Sequence, residues 1–147
     1  MKKRLILVMA LIAFAFLFWY FQGGPEKIRQ QKTAEQLRAA ANAVDPEEQI
    51  RLYTRVIESD PKSAEAYFNR GYTYGQMGDL DKAIADCTKA IELNPQCAGA
   101  YNNRGLAFFL KKDYEKAWSD VKKCQALGGQ VSPDLLKALR QASGRDE

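Results

Sequence analysis

The chain opens on its longest apolar stretch: after Met1-Lys2-Lys3-Arg4, the 17 residues from Leu5 to Phe21 carry no charge and are almost wholly apolar. A helix of that length rises about 26 Å, near the lower limit for crossing a hydrocarbon core of about 30 Å. Beyond Gln22 the apolar residues recur at helical spacing among charged ones, in segments broken by short polar turns. The pattern predicts helices around Gln30 to Ala43, within PEEQIRLYTRVIESDP, from Ala64 to about Gln76 and from Leu80 to about Leu93. Two more follow in matching places further on. Met77-Gly78-Asp79 and Lys111-Lys112-Asp113 break the pattern at turns between antiparallel helices. Near the end, Ser132-Pro133-Asp134 opens a last helix, with Ser as N-cap, Pro in the first turn and Asp facing the positive end of the dipole.

The turns recur because the sequence recurs. YFNRGYTY at 67–74 returns as YNNRGLAF at 101–108, and laying 64–97 over 98–131 without a gap gives 13 identities in 34 positions. They include Tyr67/Tyr101, Asn69/Asn103, Arg70/Arg104, Gly71/Gly105, Asp79/Asp113, Ala83/Ala117 and Asp86/Asp120. A weaker copy at 30–63 keeps Asp45, Ile50, Thr54, Ile57, Glu58 and Pro61 in register. A period in the thirties marks a stacked array of helical hairpins. Gly71 and Ala83 are small where paired helices must approach closely, and Tyr67 and Tyr74 fill the space beside them. Pro95 ends a helix by removing a backbone donor and restricting its predecessor.

These residues resemble the tetratricopeptide repeat family, whose unit is a helix-turn-helix of the same length. The resemblance rests on Tyr67, Gly71, Tyr74, Ala83, Ala90 and Pro95 in one copy, and on Tyr101, Gly105, Phe108 and Ala117 in the next. It implies an all-α fold: an α-solenoid of about three repeats, at 30–63, 64–97 and 98–131, closed by a capping helix at 132–143 and a tail at 144–147. The first copy has Leu37 in place of the family's glycine, as terminal units often depart from the pattern. In the cap, Leu135, Leu136 and Leu139 suit the exposed face of the last unit, while Lys137, Arg140 and Gln141 suit water. Ahead of the array the apolar run reads as a single transmembrane helix at 1–21, with a linker at 22–29.

Composition changes little for the array and more for the N-terminus. With 147 residues, 46% hydrophobic and 27% charged, the chain has the make-up of one globular domain. Of its 22 basic residues three precede the apolar run, leaving 19 against 18 acidic ones, interleaved as on a solvated helical surface. No basic stripe calls for a nucleic acid. No small-residue cleavage site follows the run, which ends in Phe18-Trp19-Tyr20-Phe21 and continues as Gln22-Gly23-Gly24-Pro25. The first cysteine, Cys87, is too far on to carry a lipid. The segment therefore reads as an uncleaved signal-anchor; a cleaved secretory signal, leaving a soluble secreted binding protein, is the alternative. Lys2, Lys3 and Arg4 hold the N-terminus in the cytoplasm, which sends the array across, as for a bacterial inner-membrane protein facing the periplasm.

The chain has no histidine, which removes Ser-His-Asp and Cys-His catalysis, and its acidic residues stand singly on helical faces. Its three cysteines form no CxxC pair, so no metal centre is expected; neither is a cofactor, a small-molecule substrate or an enzymatic activity. Arg70 and Asp86, like Arg104 and Asp120, lie 16 residues apart on opposite arms of a hairpin and are expected to form structural ion pairs. Cys97 and Cys124 stand at adjoining ends of one hairpin, so a disulfide between them is expected in an oxidising compartment. In the family the first helix of each unit lines the concave surface. Here that implies a partner-binding groove of Phe68, Asn69, Tyr72, Asn102, Asn103, Leu106 and Phe109. Paired amides beside aromatics suit the main chain of an extended peptide. The family's clamp for a terminal carboxylate needs Lys and Asn, then Asn, then Lys and Arg on successive inner helices. Centred on Asn69 this chain offers Ala34 and Arg38, then Gly99 and Asn103; centred on Asn103 it offers Phe68 and Tyr72, then Pro133 and Lys137. Neither frame makes the clamp. The expected role is that of a membrane-anchored scaffold for a protein partner, with a structural subunit of an envelope or secretion complex as the alternative.

Overall fold

The structure, a computed structural model, describes residues 2–144, with the side chains of residues 2–8 and 10 outside the described set. Among the described residues there are eight helices and no strand. They are α1 (Lys2–Phe21), α2 (Gly24–Asn42), α3 (Pro46–Ser59), α4 (Ala64–Gln76), α5 (Leu80–Leu93), α6 (Ala98–Leu110), α7 (Tyr114–Ala126) and α8 (Pro133–Ser143). The chain divides into two compact units, 1–35 and 36–147, with the boundary inside α2.

In the first unit, α1 and the start of α2 meet at Gly23, whose φ of +77° favours a residue without a Cβ. The indole of Trp19 packs on the bare Cα of Gly24. Helix α2 takes in most of the expected linker 22–29, because Pro25 is tolerated in a first turn and Glu26 there faces the helix dipole. The transmembrane helix expected at 1–21 is not found: among the described residues no helix is long and apolar enough to cross a membrane. Side chains of α1 are described only for Met9 and residues 11–21, and that last stretch rises roughly 17 Å, short of a hydrocarbon core. Those apolar side chains, from Met9 to Phe21, are exposed.

The second unit is the array. Its helices start where short polar side chains cap them. Asp45, Asp79 and Asp113, one period apart, accept from the main-chain N–H groups of Glu48, Lys82 and Lys116, and Ser63 and Ser132 cap α4 and α8. The hairpins α4/α5 and α6/α7 close tightly because Gly71 and Gly105 lack side chains. A Cβ at Gly71 would stand 3.1 Å from Asp86 Cβ and from Cys87 Sγ, and one at Gly105 would stand 3.2 Å from Asp120 Cβ. The interior is correspondingly fine-grained: Ala66, Ala83, Ala90, Ala100, Ala107 and Ala117 are buried between helices, with Tyr53, Val56 and Tyr101 as larger pieces. At the C-terminal end the core coarsens into Trp118, Val121, Leu135 and Leu139, and α8 covers it. Trp118 Nε1 donates to Ser143 Oγ at 2.9 Å, tying the end of α8 to α7. Lys122 Nζ sits 6.0 Å from the ring centre of the same tryptophan.

Candidate functional site

The repeated arginines are structural, and they join neighbouring hairpins as well as the arms of one. Arg70 Nε and Nη2 donate to the two carboxylate oxygens of Asp86 at 2.7 and 2.8 Å, while Nη1 reaches back to Thr54 Oγ1 on α3 at 3.0 Å. One period later Arg104 makes the same set, 2.8 Å and 2.8 Å to Asp120 and 3.0 Å to Thr88 on α5. Each guanidinium also lies between two rings, Tyr67 and Tyr74 for Arg70, Tyr101 and Phe108 for Arg104. The carboxylate hydrogen bonds hold both guanidinium groups above their ordinary pKa, against burial, which acts the other way. Neither arginine is available to a ligand without dismantling this arrangement.

The first helices of the two best-matched units present three equivalent positions at i, i+3 and i+7: Asn69, Tyr72 and Gln76 on α4, and Asn103, Leu106 and Leu110 on α6. Tyr72, Leu106 and Leu110 are 48%, 41% and 53% exposed. Gln76 Nε2 donates to the Tyr72 hydroxyl at 2.6 Å, which holds the phenol along the helix. Between α4, α5 and α6 lies a cavity of about 280 Å³, floored by Gly71, Gly75 and Ala83 and walled by Tyr72, Gln76, Leu80, Asn103, Leu106 and Leu110. No charged side chain lines it. Asn103 Nδ2 is buried yet has no hydrogen-bond partner among the described residues, and the same holds for Asn102 Oδ1. A buried amide left in this way costs stability unless something supplies the missing partner.

Of the residues expected to form the groove, the structure gathers Tyr72, Asn103 and Leu106 on this cavity. The others are placed differently. Phe68 packs on Gly99 of the next unit, where an added Cβ would meet its ring at 3.0 Å, so it serves the α4 to α6 contact. Phe109 meets Tyr114 at 5.9 Å between ring centres, tilted by 45°, and packs against the cluster under α8. Asn69 is half-buried, its main-chain carbonyl accepting from the Thr73 hydroxyl at 3.0 Å, and Asn102 is half-buried. Gly75 and Leu80 were not expected at the site. The signal was there: the next copy carries Phe109 and Tyr114 at those two positions.

The expected Cys97 to Cys124 disulfide is absent, and Cys87, Cys97 and Cys124 are free thiols. Cys124 packs beside Gly129 and Ala98: a Cβ on Gly129 would lie 2.5 Å from its Sγ and 2.7 Å from Ala98 Cβ. Cys97 stands at the N-cap of α6 without a side-chain capping bond. Burial raises the Cys124 thiol and pushes Cys87 up to about 12.

Helical hairpins stacked in series with a concave apolar cavity define a repeat protein of the α-solenoid class. Residues 64–97 match the family model described as tetratricopeptide repeat. Solved structures share the fold over most of the chain. One is the TPR2B domain of yeast Sti1 in complex with pHsp70, 23% identical, covering 80% of this chain and 98% of that one with a TM-score of 0.66. The second TPR of Spaghetti (RPAP3) bound to the HSP90 peptide SRMEEVD is 25% identical, covering 69% and 98% with a TM-score of 0.64. The Sgt2 TPR domain from Aspergillus fumigatus is 26% identical, covering 78% and 76% with a TM-score of 0.63.

Proposed function

We propose that this chain is a protein-interaction module that binds an extended segment of a partner protein in the groove between α4 and α6, and that it does so as a scaffold rather than an enzyme. The observation that carries the reading is the uncharged cavity bordered by exposed Tyr72, Leu106 and Leu110, with the unpartnered amide of Asn103 in its wall. Peptide main chain supplies the acceptors that such amides lack. The Spaghetti domain, which shares the fold, is bound to a peptide ending in acidic residues. The groove here lacks the set of cations that a carboxylate terminus needs, so its segment is read through apolar contact and main-chain hydrogen bonds.

Replacing Asn69 and Asn103 together by Ala is expected to weaken capture of the partner while leaving helical content and melting nearly unchanged. Capture that survives this double change but fails when Lys82 and Lys116 are replaced by Glu would move the interface to the outer surface, as for a structural subunit, and end the groove reading.

The proposal includes a membrane anchor. Support comes from the 17-residue uncharged run Leu5 to Phe21 behind three basic residues, and from described side chains on it that are apolar and exposed on every side. A helix apolar all round suits lipid better than a single docking face. The positive-inside rule then puts the array on the non-cytoplasmic side. Carbonate washing is expected to leave the protein in the membrane, and a C-terminal alkaline phosphatase fusion is expected to be active. A C-terminal fluorescent fusion glowing in the cytoplasm would overturn the topology, and a mature N-terminus near Gly23 would make it a secreted protein.

A further inference from the structure

One period on from two residues that line this cavity, Gly75 and Leu80, the protein carries aromatic side chains instead. Position 75 is Gly and position 80 Leu, whereas the equivalent positions are Phe109 and Tyr114, whose rings meet at 5.9 Å between centres, tilted by 45°, against the cluster closed by α8. One unit thus carries a phenylalanine ring at this position and the other leaves the position bare. The cavity beside the bare position measures about 280 Å³, more than the ~150 Å³ that accommodates a benzene molecule in an apolar protein cavity. A Cβ added to Gly75 would meet only Ala83 Cβ, at an ordinary 3.8 Å, so nothing but the missing side chain keeps the space empty.

Resting on the groove reading, we propose that this cavity is a specificity pocket for one bulky apolar side chain, of phenylalanine size, presented by an extended peptide of a partner protein. The side chain takes the place that Phe109 holds in the next unit, and a neighbouring main-chain carbonyl accepts from Asn103 Nδ2, which is buried and otherwise unpaired. The absence of charge in the lining excludes acidic and basic side chains from the pocket.

The test uses the full-length chain in detergent micelles and a phage-displayed random heptapeptide library, followed by fluorescein-labelled synthetic copies of the selected peptides. Selection is expected to fix Phe, or else Leu or Met, at one position. Replacing that residue by Ala should weaken binding by about tenfold or more. Gly75→Phe, which copies the residue of the next unit, should abolish binding while the melting temperature stays level or rises, since Gly is the poorer helix former. Asn103→Leu should weaken binding by roughly fivefold. Peptides that bind Gly75→Phe as tightly as the parent, or a selection rich in Asp and Glu, would overturn the pocket. If Asn69→Ala with Asn103→Ala weakens those same peptides, the groove reading stands without the pocket. A library yielding no binder to the parent chain would remove both. Sedimentation showing self-association of the parent chain, abolished by Gly75→Phe, would make the occupant a second copy and overturn the peptide assignment.

Discussion

Lys112 adopts φ +64°, where the equivalent residue of the preceding unit is Gly78 at +81°. A Cβ in that region costs about 1 kcal/mol, so Lys112→Gly is expected to stabilise the fold by about that amount, read as a higher urea midpoint with an unchanged slope. The cysteines separate by burial in the same local way. Cys97 is partly exposed, whereas Cys87 and Cys124 are buried, the first with its thiol pushed up to about 12. A thiol-exchange reagent is expected to titrate one group in the native protein and three after denaturation without reductant; a single group after denaturation would mean that the Cys97 to Cys124 bridge forms. Single residues were unequally legible in the sequence. The pairing of Arg70 with Asp86 could be read from a 16-residue spacing, since spacing fixes height along a hairpin. Where a thiol or ring points could not: Cys124 turns toward Gly129 in the connection after α7, and Phe68 onto Gly99 of α6, neighbours that lie outside their own helices.

Elements announced themselves through their caps. Ser132 marks a helix start in the sequence, and Asp45, Asp79 and Asp113, read there only as recurring positions, do the same in the structure, each offering an oxygen to main-chain N–H groups that a first turn leaves unpaired. Helix α2 was less legible, since Gly23-Gly24-Pro25 reads as a linker, yet Pro and Glu suit a first turn and the break shrinks to Gly23. The cap α8 was readable from the spacing of Leu135 and Leu139, which are 8% and 0% exposed and complete the Trp118 cluster. Leu139→Ala is expected to cost about 3 kcal/mol by thermal or urea unfolding, since it empties a fully buried site. A loss under 1 kcal/mol would show that α8 is only loosely attached.

Across the whole molecule the array was legible and the cavity was not. Identities between copies reveal the shared scaffold, whereas the cavity arises where the copies differ, at Gly75 against Phe109. The Arg104 network ties one hairpin to the next, so its loss should be felt by the array as a whole. Asp120→Asn leaves a half-buried guanidinium without its counter-charge and is expected to cost about 3 kcal/mol. It should lower the single melting transition of the array rather than split off its last hairpin. The network also ends at a definite place along the chain. One more rung would need a threonine at 122 and an arginine at 138, and the chain has Lys122 and Ala138 instead. Lys122, exposed beside the Trp118 ring, offers no hydroxyl for such a bond. The threonine–arginine–aspartate latch thus stops with the α6/α7 hairpin, and α8 is held by other means: Leu135 and Leu139 in the Trp118 cluster and the Trp118 to Ser143 hydrogen bond.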